Sequence, residues 1–98
     1  MNATDADDIV QIRAAIADLD GIQPLVELLR DTDEELKCLA AETIAHCAKN
    51  ARNRRAVRRY GGIRKLVRLL KAKPGSKEEE VAISGARALA SCSKSCKF

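Results

Sequence analysis

Ninety-eight residues make one small domain at most, near the lower limit at which a chain buries a core of its own. Apolar residues reach 46%, yet only Tyr60 and Phe98 are aromatic, so the core must be aliphatic, built from Ala, Leu, Ile and Val with a few Cys. No stretch approaches the roughly 18 apolar residues that a membrane span needs, and the first eight residues carry acids where a secretion signal carries bases. The chain is expected inside the cell, with its four cysteines reduced.

Net charge is +4, but the two halves differ sharply. Residues 1–49 hold four Lys/Arg against eleven Asp/Glu, giving −7, whereas residues 50–98 hold fourteen against three, giving +11. Thr43 to Lys77 contains no acid at all. Such polarity points to an acidic partner or to end-to-end contact between copies.

In chain order, an acidic tail over residues 1–8 precedes a short helix over about Asp8–Leu19, stopped at Asp20-Gly21. A second helix is predicted over Ile22–Arg30, and a third over Asp33–Lys49. In the third, Leu36, Leu39, Ala40, Thr43, Ile44 and Cys47 form one continuous apolar stripe. Thr32 to Glu35 fits the capping-box pattern that starts a helix. The pattern then recurs. Gly21-Ile22-Gln23-Pro24-Leu25-Val26-Glu27-Leu28-Leu29 returns 41 residues on as Gly62-Ile63-Arg64-Lys65-Leu66-Val67-Arg68-Leu69-Leu70, and Leu36–Asn50 returns 45 residues on as Val81–Ser95. The difference places a four-residue insertion around Lys73-Pro74-Gly75-Ser76, before a second capping box at Ser76–Glu79. Helices are therefore expected over Ala51–Tyr60, ended by Gly61-Gly62, then Ile63–Lys71 and Lys77–Lys94. The units are residues 9–50 and 51–98. Gly85, aligned with Ala40, weakens its helix and marks a close approach to a neighbour.

A three-helix unit of about 40–47 residues resembles the armadillo repeat. The resemblance implies an all-α, right-handed armadillo superhelix (an α-solenoid) of two three-helix repeats, acting as a protein-binding scaffold and not as an enzyme. Leu36–Ala45, Tyr60-Gly61-Gly62-Ile63 and Ser91-Cys92-Ser93-Lys94-Ser95 further resemble the axonemal armadillo-repeat proteins of the outer dynein arm docking complex. That likeness implies anchoring of outer dynein arms to ciliary doublet microtubules, a location in cytoplasm and ciliary axoneme, and acidic protein partners: docking-complex coiled coils, dynein or tubulin tails. Members of that family are several times longer, so the chain is expected to be a fragment. A general cytosolic armadillo adaptor is the alternative.

Nuclear-import receptors of this class line their groove with a Trp and an Asn four residues later. The resemblance puts Glu42 and Arg87 at the first position and His46 and Ser91 at the second, so the aromatic platform is missing. These four are the candidate groove residues, able to hydrogen-bond a partner or simply to be solvated. The other candidate is a basic surface, Arg52, Arg54, Arg55, Arg58 and Arg59 on one helix and Arg64, Lys65, Arg68 and Lys71 on the next, opposite Leu66, Val67 and Leu70. A solvated face explains such a run equally well. Nucleic acid is the weaker reading, because no aromatics interleave for base stacking. Cys47 and Cys92 share one repeat position on the apolar stripe, which reads as core; Cys92 and Cys96 lie four apart on one helix but lack the second pair that zinc sites show. His46 has no Ser, Cys or Asp arrangement that would make it a general base, and no cofactor motif is present.

Overall fold

A computed structural model describes residues 3–71, 75 and 79–94, with side chains from Asp8 onward. Among these residues six helices follow one another: α1 Ala3–Asp18, α2 Ile22–Leu28, α3 Glu34–Cys47, α4 Ala51–Arg59, α5 Gly62–Leu69 and α6 Glu79–Cys92. Among the described residues there is no strand. Helices α1–α3 and α4–α6 form two successive three-helix units.

Local chemistry sets the boundaries. Asp33 caps α3 by accepting from the backbone N–H of Glu35 at 2.9 Å and of Leu36 at 3.4 Å, and Glu34 and Glu35 add negative charge to the first turn. The cap is thus Asp33 and not Thr32, because the carboxylate reaches both orphan donors. Asn50 does the same for α4, accepting from Arg52 N at 2.8 Å and Asn53 N at 3.3 Å. The corner between α1 and α2 needs one left-handed residue, and Asp20 supplies it at φ 58°, as Gly61 does at φ 75° between α4 and α5. Helix α1 begins at Ala3, so residues 3–8 of the segment read as an acidic tail are helical. The expected start of α6 at Lys77, the capping Ser76 and Cys96 lie outside the described residues.

The core runs between the units. Helix α3 packs along α6, α5 closes on α6, and α4 lies over α1 and α2. Ile22, Val26, Ile44, Val57 and Leu66 are fully enclosed, with Val81, Ala88, Cys47 and Cys92 around them. Gly85 provides the close approach expected of it, since a Cβ there would stand 3.0 Å from Leu69 Cβ and 3.2 Å from the Leu66 carbonyl. The stripe on α3 is not continuous as expected, for Leu36 and Leu39 at its start are exposed while Ala40, Ile44 and Cys47 are buried. No helix among the described residues is long and apolar enough to cross a membrane.

Candidate functional site

The nine basic residues read from the sequence as one surface divide into two groups with different work. On α4 most of the arginines are spent on the fold. Arg54 is buried, which corrects its place on the surface: its Nη1 donates to the Ala48 carbonyl at 2.7 Å, putting a cation at the C-terminal end of α3 where the helix dipole favours it. Arg52 pairs with Asp18 of α1. Arg58, though exposed, donates through Nη2 to the Cys92 carbonyl at 3.2 Å, holding the end of α6. Arg59 lies over the Tyr60 ring, 5.2 Å from its centroid. The Tyr60 hydroxyl donates to the Asp20 carboxylate at 2.7 Å and joins the two helix corners, and that bond raises the phenol's pKa. Arg52, Arg55 and Arg59 line a cavity of about 230 Å³ against Ile16, Asp20 and Ile22. Arg55 is exposed, and among the described residues it takes no such role.

Asn53, in the middle of this basic run, was missed by sequence reasoning. It is fully buried, and its Nδ2 donates to the Arg13 carbonyl of α1 at 2.9 Å and to the Cys47 carbonyl of α3 at 3.1 Å. One amide therefore clamps the second unit onto two helices of the first. The signal available was an uncharged residue inside an arginine cluster.

On α5 the cations are left to solvent. Arg64, Arg68 and Lys71 are exposed, Lys65 is half-buried, and no carboxylate among the described residues pairs with them. With Gly61, Ile63 and Val67 they line an open groove of about 660 Å³. Val67 therefore lies beside the cations and not opposite them, and Leu70 is exposed as well, whereas Leu66 and Leu69 are buried in the core with Ile63 packed against it. Arg64 and Arg68 are four residues apart on one face, a like-charge spacing that costs a few tenths of a kcal/mol until an anion offsets it. The site is an apolar floor under four uncompensated positive charges.

The four groove candidates lie on α3 and α6, which pack along each other. Glu42 on α3 is half-buried and accepts from the Ser84 hydroxyl of α6 at 3.1 Å, so it belongs to the junction between the units. His46 and Arg87 are exposed and Ser91 is half-buried. The Cys47 and Cys92 thiols are pushed up by burial, as core thiols are, and Cys38 is raised chiefly by burial with a hydrogen bond to Ser84 opposing. Among the described residues no cluster of His, Cys, Asp and Glu is arranged to hold a metal ion.

Residues 10–49, which span α1 to α3, match the family model of the armadillo/beta-catenin-like repeat. No curated protein matches the chain. With its six helices in two equivalent sets, the fold is an all-α, armadillo-type solenoid. Armadillo repeats generally mediate protein binding, and repeats of this kind present extended surfaces to partners.

Proposed function

We propose that this armadillo-type scaffold binds an acidic, amphipathic helical segment of a partner protein in the groove on α5. The observation that carries the reading is the pairing of an apolar floor, Ile63 and Val67, with Arg64, Lys65, Arg68 and Lys71 around it. An acidic helix would bury its apolar stripe on the floor and offset the repulsion among the cations. Nucleic acid would find the charge but no aromatic platform, since Tyr60 on the adjoining corner is engaged by Arg59 and Asp20.

Fluorescence anisotropy with a labelled acidic amphipathic peptide tests this. The R64E/R68E variant should keep its helicity, because exposed substitutions cost about 0.5 kcal/mol or less each, and should bind about tenfold more weakly with a shallower salt dependence. Unchanged peptide affinity, or tighter binding to duplex DNA than to the peptide, would overturn the reading. Arg58 is left out of the variant because it holds the end of α6.

A finer reading rests on the resemblance at Leu36–Ala45 to axonemal armadillo proteins. In it the scaffold helps to anchor outer dynein arms to doublet microtubules, and the acidic segment belongs to a docking-complex coiled coil, to dynein or to a tubulin tail. A tagged copy expressed in motile ciliated cells should enter the axoneme. A diffuse cytosolic signal would instead favour a general armadillo adaptor.

A further inference from the structure

The cavity bordered by α1, the corner at Asp20, α2 and α4 lies at the inner junction and shares no residue with the α5 groove. Arg52, Arg55 and Arg59 line it from α4 at i, i+3 and i+7, so one face of a single helix brings three guanidinium groups to one hollow. The repeat motif does not demand this. The places 41 residues earlier hold Gln11, Ala14 and Asp18, so the trio belongs to this junction.

Two of the three arginines are restrained before any ligand arrives. Arg52 pairs with Asp18, and Arg59 lies over the Tyr60 ring, 5.2 Å from its centroid. The first pair is exposed, with side chains 52% and 63% accessible, and such pairs hold weakly, so Arg52 can share its donors with a second acceptor. A guanidinium carries more N–H donors than either contact uses. Arg55 is exposed, and among the described residues it takes no part in holding the fold. Against these cations the described lining offers one acid, Asp20, whose carboxylate already accepts from the Tyr60 hydroxyl. Positive charge is therefore in surplus over a wall whose apolar part includes Ile16 and Ile22. At about 230 Å³ the hollow has room for several waters of about 30 Å³ each, which is enough for one polar side chain and its stem.

We propose that this cavity takes a phosphorylated serine or threonine side chain of a partner protein, with the phosphate among Arg52, Arg55 and Arg59 and the carbon stem against Ile16. Charge and shape select the group. A phosphate monoester brings about −1.5 to −2 charge and three acceptor oxygens, whereas a carboxylate brings a single charge and would leave part of the trio unmatched. Arginine clusters are a general means of reading phosphorylated motifs. Like charges along one helix face repel one another in the free chain, and a dianion offsets that repulsion. Because Asp18 and Tyr60 already restrain two of the arginines, less side-chain freedom is lost on binding. A protein is the source because armadillo repeats generally bind proteins and the hollow is sized for one side chain.

Fluorescence anisotropy of the full chain with a labelled peptide, neutral in sequence except for one phosphoserine, tests the site. The phosphopeptide should bind about tenfold or more tightly than its serine and glutamate counterparts. R55E should stay helical by circular dichroism, since Arg55 is exposed, and should lose about tenfold or more of that affinity. R30E makes the same charge change on exposed Arg30, just past the C-terminal end of α2, and should alter the affinity by no more than about twofold. In an isotope-labelled chain the phosphopeptide should shift the backbone amide signals of Asp20, Arg55 and Arg59. Equal affinity for the three peptides, equal losses in R55E and R30E, or shifts centred on α5 would overturn the proposal. Tighter binding to phosphatidylcholine vesicles containing a phosphoinositide than to the phosphopeptide would overturn it in favour of a lipid headgroup. The α5 groove reading stands or falls separately, because neither the neutral peptide nor R55E touches its residues.

Discussion

Replacing Asn53 with Ala isolates the clamp between the units. The side chain donates to two carbonyls, Arg13 at 2.9 Å and Cys47 at 3.1 Å, from a position with no exposure. Removing the amide loses two hydrogen bonds worth about 1 kcal/mol each, while the Cys47 carbonyl keeps the Asn50 backbone N–H at 3.0 Å as a second donor. Two effects run the other way. The Asn53 Oδ1 is buried without a partner, so its desolvation cost disappears with it, and Ala is the better helix former by about half a kcal/mol. The expected net loss is about 1–2 kcal/mol, still a sizeable share of the roughly 5 kcal/mol at the bottom of the range for small domains. Urea denaturation followed by circular dichroism measures it, with R55A on the same helix as the control. Arg55 is exposed, so R55A should shift stability by about 0.5 kcal/mol at most. Equal effects of the two substitutions would refute the clamp and return the whole helix to a solvated charge run.

Gly85→Ala should destabilise the fold by about 1 kcal/mol despite the gain in helix propensity, because the added methyl meets Leu69 Cβ at 3.0 Å and the backbone carbonyl of Leu66 at 3.2 Å; a rise in melting temperature would refute this. Cys47 and Cys92 should react with a thiol reagent far more slowly than an unfolded control at neutral pH, and protection by added zinc would contradict their place in the core. Their folded pKa values are raised above the ordinary 9.0 by burial, so the stability they contribute is fully present below pH 9 and is lost as pH rises through the folded values. A stability plateau extending well above pH 9 in the wild type, unchanged in C47S/C92S, would count against it.

The fold class was legible because its signals are periodic and redundant. The G-I-x-x-L-V-x-L-L motif appears twice, and each copy builds a helix of the same kind, α2 and α5. Helix starts were legible to within a residue where an acidic or amide side chain must cap exposed N–H groups, as at Asp33 and Asn50. The start of α1 was not, because Ala3 to Asp8 has acids at the favourable end of a helix dipole, and the same residues read equally well as a solvated tail. The surface was harder. Five arginines within eight residues look alike in sequence, yet one caps a buried helix end, one pairs with Asp18, one holds the Cys92 carbonyl and one covers a tyrosine. Those roles depend on carbonyls and carboxylates brought from 6 to 34 residues away, and spacing along one helix carries no record of them.

In a solenoid, burial belongs to a position's neighbour more than to its residue. Val26 and Val67 occupy the same place in the same motif, and one is enclosed while the other lines an open groove, because α4 and the start of α5 lie against the first. Apolar periodicity therefore identifies the junction faces but cannot say which are filled, whereas charge can. The inner junction joins an acidic unit to a basic one, as in the pair of Asp18 with Arg52, so the charge segregation along the chain leaves a basic face at one end and an acidic helix at the other. Most arginines of α4 are spent on the fold, whereas on α5 Gln23, Pro24 and Glu27 of the first unit are replaced by Arg64, Lys65 and Arg68 around an apolar floor. The equivalents of the α5 cations stay exposed at the inner junction while Ile22 and Val26, the equivalents of its apolar floor, are buried there, so the floor is the part of α5 that a partner would cover and the cations are the part that would frame it.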